Sequence, residues 1–254
     1  MQCVESLKKL QTWQIVGTIL YHLSVSLRSL TYHTICHQRA KRHANTLCVS
    51  YTEGQKVVLF VHGRNGSPTD FLPLIANIRH QNLFGDSKQE HCLHTVDLGD
   101  TGHTTTLDED AEKLNLHIRY FYKNRSINLV GLSKGGLVVL CYAPPHSEAD
   151  DNNNRINQLI TISAPVQGIY SASLFPPSSS VFFNLSYKNA LVQKIEERCK
   201  TFNNIYHIVP TWDSLIVPTS LNTMFFNYYG YSYGHTGIAF NPQVAEVIAK
   251  WILK

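Results

Sequence analysis

The stretch NLVGLSKGGLVVL, residues 128–140, sets two apolar runs around a serine fenced by glycines, Gly131-Leu132-Ser133-Lys134-Gly135-Gly136. Both flanks call for burial, yet the middle is small and polar. A sharp strand-to-helix turn reconciles the two, because it ends a buried strand, pushes the serine hydroxyl out at the top of a sheet and starts a helix at once. The glycines suit such a turn, which is strained and needs the helix to pack close on the strand. The pentapeptide alone also fits an ordinary turn, so its weight depends on its surroundings.

Those surroundings alternate between short apolar runs and helical patterns. TLCVSY (47–52) and KVVLFVHG (56–63), joined by Glu53-Gly54-Gln55, read as strands, the second continuous enough to be buried on both faces. CLHTVDL, SINLVGL, QLITISAP and NNIYHIV supply further strands. Leu107, Ala111, Leu114, Ile118 and Phe121 share one helical face, and so do Val244, Val247, Ile248, Trp251 and Ile252 near the C-terminus. This alternation predicts an α/β fold with a mostly parallel central sheet and helices on both faces. Functional sites of such sheets lie at the carboxyl ends of strands. Ser133, directly after INLV and before GGLVVLCYA, is therefore a candidate nucleophile in the context that chemistry requires.

A serine hydroxyl needs a neutral imidazole to take its proton and a carboxylate to orient that imidazole. With 13 histidines in the chain, position has to choose among them. His235 lies in the Gly- and Tyr-rich loop YGYSYGHTG just before the final helix, and Asp213 in IVPTWDSLIVP follows the strand IYHIV. The order Ser, Asp, His is the one expected for this architecture. At the end of the first long strand, His62-Gly63-Arg64 can turn backbone N–H groups toward a developing oxyanion. The candidate donors are the N–H of Arg64 and that of Lys134. Asp97 and Asp100, in VDLGDTGH, also follow a strand and stand as alternative carboxylates, although their strand precedes that of Ser133. His62 reads as a polar anchor of the oxyanion loop and His103 as a solvated loop residue.

The motifs VHGRNG, GLSKGG, TISAP with QG behind it, DSLIVP and GHTGI together resemble the α/β-hydrolase superfamily, and within it lipase-type serine esterases, including small bacterial lipases and the deacylases of lipid anchors. The resemblance spans roughly residues 56–254. It implies a carboxylic-ester hydrolase acting on acyl esters, with the triad Ser133, Asp213 and His235, and no cofactor. Two features depart from it: Lys134 stands where a hydrophobic residue is common, and TISAPVQG lacks the histidine of the lipase version. Both bear on substrate more than on reaction. Hydrolysis of thioesters or amides, or a non-catalytic binding role on the same fold, are the alternatives.

Composition is consistent with this reading. The 254 residues are 43% hydrophobic and 16% charged, enough for one sizeable core. A net charge of +4, from 22 basic and 18 acidic residues without a basic stripe, argues against a nucleic-acid partner. The 6 cysteines are scattered, so they form no dense disulfide framework. His33, Cys36, His37, His43 and Cys48 are too irregularly spaced for a zinc site, and no metal is expected.

The chain divides near residue 50. Residues 1–45 read as an amphipathic helix, with Val16, Ile19, Leu20, Leu23, Leu27 and Leu30 on one face, followed by a basic His-rich linker. The segment is too polar for a convincing signal peptide or membrane span, so it either packs on the catalytic domain or contacts a membrane peripherally. No localisation follows. Residues 46–254 form the catalytic domain, and 166–190, with Phe175, Val181, Phe182, Phe183 and Leu185 among prolines and serines, read as a lid with an apolar underside or a packed excursion.

Overall fold

The computed structural model describes residues 54–86, 91–99, 105–146, 155–169, 185, 190–199, 202, 204–210, 213, 226–230 and 234–254. The expected N-terminal helix, the TLCVSY strand, Asp100, His103 and most of the 166–190 segment lie outside these residues, as do the His- and Cys-rich linker positions.

Six strands form one sheet among the described residues: β1 (Lys56–Val61), β2 (His91–Val96), β3 (Ser126–Leu132), β4 (Arg155–Ile162), β5 (Ile205–Pro210) and β6 (Phe226–Gly230). Their order is β2-β1-β3-β4-β5-β6, and every neighbouring pair is parallel. The uninterrupted apolar run of β1 follows from this, because Val57 to Val61 are buried throughout. Successive side chains serve opposite faces: Val57, Leu59 and Val61 enter one core cluster, Val58 and Phe60 the other.

Helices cover both faces. On the first lie α2 (Leu107–Phe121), α3 (Lys134–His146) and α4 (Ala190–Cys199), contributing Leu114, Ile118, Leu137, Tyr142 and Ile195. On the second lie α1 (Leu72–His80) and α5 (Pro242–Ile252), contributing Leu74, Ile78, Val244 and Ile248. Truncating one such residue, for example Leu114→Ala, costs about 2–5 kcal/mol, since transfer and cavity penalties add. The helix starts are encoded locally. Thr106 and Glu109 form a reciprocal capping box before α2, and the Asn241 side chain accepts the N–H of Gln243, with Pro242 opening α5.

Three expectations change in detail. Phe121 does not continue the buried face of α2 but is 49% exposed. The backbone leaves the helix at Tyr122 (φ −128°), and that residue turns into the core, its hydroxyl 2.7 Å from His94 Nδ1. Of the C-terminal helical face, Val247 is only partly buried, packed against the cluster that Val244, Ile248, Trp251 and Ile252 enter. Finally, FNYYG forms β6, paired with β5 from Tyr206↔Phe226 to Pro210↔Gly230. Its last two residues, Tyr229 and Gly230, open the stretch read as a Gly- and Tyr-rich loop, but parallel pairing with β5 makes them the end of a strand.

Candidate active site

The sheet topology creates the site. From β1 the chain steps to β2 on one side, whereas from β3 it proceeds through β4, β5 and β6 on the other. A crevice therefore opens at the carboxyl ends of β1 and β3. His62-Gly63 follow β1 there, and Ser133 follows β3. Ser133 is held at φ 55°, a left-handed conformation costing a non-glycine residue roughly 1–2 kcal/mol. Its N–H donates to the Ile162 carbonyl at 2.8 Å, and its own carbonyl accepts the N–H of Gly136 at 3.0 Å.

The flanking glycines answer to contact rather than to dihedral angle. A Cβ on Gly131 would stand 2.3 Å from the Gly135 carbonyl oxygen, and one on Gly135 would stand 2.3 Å from that of Val61. Helix α3 thus starts in direct backbone contact with β3 and β1. At Gly136 a Cβ would meet that of Ala164 at 2.5 Å.

Ser133, His235 and Asp213 form one hydrogen-bonded row. Ser133 Oγ lies 2.7 Å from His235 Nε2, and His235 Nδ1 lies 2.7 Å from Asp213 Oδ2. A carboxylate can only accept, so Nδ1 carries the proton and Nε2 presents its lone pair to the serine hydroxyl. Asp213, after β5, is buried, and the His235 side chain is 9% exposed. His235 sits in a single helical turn, Gly234–Gly237, rather than in the loop its sequence suggested. Chemically, such a row can draw a proton from Ser133 and hold the resulting imidazolium against a buried carboxylate.

Asp97 occupies a different place. Its side chain is 71% exposed, 3.8 Å from His62 Nε2, and its Oδ1 accepts the N–H of Gly99, so it does not join the row on His235. His62 is buried and anchors the loop after β1. Its Nε2 accepts the N–H of Leu98 at 3.2 Å, which leaves the proton on Nδ1 to donate to the Gly63 carbonyl at 3.0 Å. The same carbonyl accepts the N–H of Gly66 at 3.1 Å. In a trans peptide the carbonyl and the next N–H point oppositely, so fixing Gly63 O also aims the N–H of Arg64. Gly63 lies against the nucleophile turn: a Cβ there would be 3.1 Å from Ser133 Cβ. Partial burial lowers the Arg64 guanidinium from its ordinary pKa.

Two features escaped the sequence reading. Lys134, singled out for its main-chain N–H, also buries its ammonium on Asp110 at 2.7 Å. Nothing local links positions so far apart in the chain. Ser163, after β4, has φ 49° and a buried hydroxyl. Burial pushes the imidazole of His207, on β5, down to about 4, and its Nδ1 lies 2.6 Å from Thr161 Oγ1. Among the described residues no group of three or more His, Cys, Asp or Glu side chains could hold a metal ion.

The PGAP1-like alpha/beta domain matches residues 52–209, a span that includes Ser133 and ends before Asp213 and His235. No curated protein matches the chain by sequence. Among solved structures, the product of gene lin2722 from Listeria innocua is 14% identical, with a TM-score of 0.56 over 79% of this chain and 94% of that one. The mature lipase BlEst2 from Bacillus licheniformis is 14% identical, with a TM-score of 0.56 over 81% and 94%. Est1E from Butyrivibrio proteoclasticus is 15% identical, with a TM-score of 0.52 over 80% and 90%. At these identities the likeness is one of fold, that of the α/β hydrolases.

Proposed function

The chain belongs to the PGAP1-like alpha/beta domain family, and from that premise we propose that it is a serine hydrolase of carboxylic esters, with acyl lipids as the narrower substrate class. The observation that carries this reading is the row Ser133–His235–Asp213, two contacts of 2.7 Å ending on a serine held in a strained turn at the switch point of the sheet.

In this reaction Ser133 Oγ attacks the ester carbonyl carbon while His235 Nε2 takes the hydroxyl proton. Asp213 holds the ring in the Nδ1–H tautomer and stabilises its cation. The oxyanion of the tetrahedral intermediate accepts hydrogen bonds from the N–H groups of Arg64 and Lys134. Collapse breaks the ester C–O bond, and the alcohol leaves with the proton from His235. Water, activated by the same imidazole, then attacks the acyl-enzyme, releases the carboxylic acid and restores the serine.

Acyl lipids are favoured by the resemblance to lipases and lipid-anchor deacylases, and by the phenylalanines 175, 182 and 183 of the 166–190 segment. Apolar side chains of this kind cost about 25 cal/mol per Å² when exposed to water, so a lipid surface offers them a better environment. The test is turnover of esters of increasing acyl length below and above their micellar threshold. Low activity on monomeric short-chain ester and a rise with micelles or vesicles is the expected result. Saturable kinetics indifferent to chain length and aggregation would leave a general esterase. Deleting residues 1–45 separates the roles of the N-terminal segment: lost vesicle binding with retained soluble-ester turnover marks a membrane contact, whereas insoluble protein marks a part of the core.

A further inference from the structure

Lys134 opens α3 immediately after the nucleophile turn, and its side chain runs inward rather than to solvent. Its side chain is 3% exposed and that of Asp110 0%. Asp110 lies in the first turn of α2 and gathers three donors: Lys134 Nζ at 2.7 Å, Thr105 Oγ1 at 3.2 Å and Lys113 Nζ at 3.4 Å. Lys134 Nζ also donates to the Thr105 carbonyl at 3.0 Å. The start of α3 is thereby tied to the start of α2.

The framework continues to the opposite wall of the crevice. Lys113 Nζ donates to the Leu98 carbonyl at 3.2 Å, while the N–H of Leu98 donates to His62 Nε2 at 3.2 Å. His62 in turn holds the Gly63 carbonyl, whose peptide carries the N–H of Arg64. One hydrogen-bonded path therefore runs from Lys134 through Asp110, Lys113, Leu98 and His62 to the Gly63 carbonyl, so that it starts on one residue with a candidate oxyanion donor and ends on the peptide group whose N–H belongs to the other, Arg64.

We propose that the buried Lys134–Asp110 ion pair is a positioning device for the oxyanion site, fixing the main-chain N–H of Lys134 against that of Arg64. The inference rests on the ester-hydrolase reading above. A buried ion pair is a weak source of stability, since a well-packed apolar pair of similar volume replaces it at little or no loss. Its directional contacts fix geometry instead. Donors of an oxyanion site must stand about 2.7–3.1 Å from the oxyanion, and a misplacement of roughly 1 Å can cost about 100-fold in rate. Lys134 and Asp110 are positioning residues here, because neither side chain touches the reacting atoms.

The test compares wild type with the double variant Lys134→Met with Asp110→Leu, and with the near-isosteric Asp110→Asn, using a short-chain ester as substrate and an aryl trifluoromethyl ketone as mimic of the tetrahedral intermediate. Labelling of wild type by a fluorophosphonate, abolished in Ser133→Ala, is read first, and its absence overturns the hydrolase reading itself. With labelling present, the folded double variant should lose about 100-fold in kcat at nearly unchanged KM, weaken ketone inhibition by a similar factor, and keep the acid limb of the pH profile in place. Asp110→Asn should show the same split at about tenfold. A folded double variant, or a folded Asp110→Asn if the double variant does not fold, with wild-type kcat and ketone affinity overturns the proposal. So does a loss confined to KM, or a shifted acid limb.

Discussion

The chain makes the same backbone turn twice and uses it differently each time. Ser133 follows β3 with φ 55° and donates its N–H to Ile162 at the end of β4, while Ser163 follows β4 with φ 49° and donates its N–H to Ile208 of β5. A histidine accompanies each turn, but in different ways. At the first, His235 faces the serine hydroxyl at 2.7 Å. At the second, His207 faces Thr161, two residues earlier, and the Ser163 hydroxyl finds no hydrogen-bond partner among the described residues. A strained serine is therefore no mark of chemistry by itself. What distinguishes the first turn is a helix packed directly behind it, the loop after β1 beside it and an oriented imidazole in front. After Ser163 the sequence Ala164-Pro165 provides none of these, because proline restricts the preceding residue away from helical backbone.

The largest contrast should come from deleting the two hydroxyls. Ser133→Ala should lower kcat on any accepted ester by roughly 10⁶-fold, whereas Ser163→Ala should leave it within about twofold, since a hydroxyl with no partner among the described residues loses none of their hydrogen bonds on removal. Steady-state kinetics on the two purified variants checks this. Next in size are the carboxylates. Asp213→Asn should cost about 10⁴-fold by favouring the wrong imidazole tautomer, and Asp97→Asn should remain close to wild type. The reverse pattern would move the acid to the end of β2.

Backbone packing gives a smaller difference, read in stability. Gly135→Ala forces a methyl onto the Val61 and His62 carbonyls, where an added Cβ would stand at 2.3 and 2.4 Å, and should cost about 3 kcal/mol in urea unfolding. Ala164→Gly, one residue after the second serine, removes a single methyl and should cost about 1 kcal/mol. An effect of pH is of similar size. Burial holds His207 at about 4, below an unfolded value of about 6.5, so the folded state refuses a proton that the unfolded chain accepts. This contribution is fully present above about pH 6.5 and is lost as the pH falls toward 4, the loss reaching about 2 kcal/mol at pH 5. Unfolding of His207→Gln should fall less steeply between pH 7 and 5 than that of wild type.

Both turns lie in the sequence, but only one could be read there. Ser133 carries glycines on both sides and sits between apolar runs of unlike period, a pattern local enough to recognise. Ser163 is one small residue in TISAP, and its left-handed backbone leaves no compositional trace. Strand β1 was the most legible because a parallel strand buried on both faces is apolar throughout, as Val57 to Val61 are, while β2 to β5 were legible from shorter apolar runs. Strand β6 was not, since FNYYG owes its conformation to pairing with β5. Asp213 and His235 could be placed by chain order after strands. The Lys134–Asp110 pair could not, because the two residues meet only once α2 and α3 have packed, and the polar path through Leu98 runs on main-chain atoms that every residue possesses.

The central claim is that the first turn alone is an active site. The most direct measurement is peptide mapping by mass spectrometry after incubating the native protein with a fluorophosphonate. The account predicts one modified peptide, carrying the adduct on Ser133, and no labelling in Ser133→Ala or after acid unfolding. An adduct on Ser163, or equal labelling of wild type and Ser133→Ala, would contradict it.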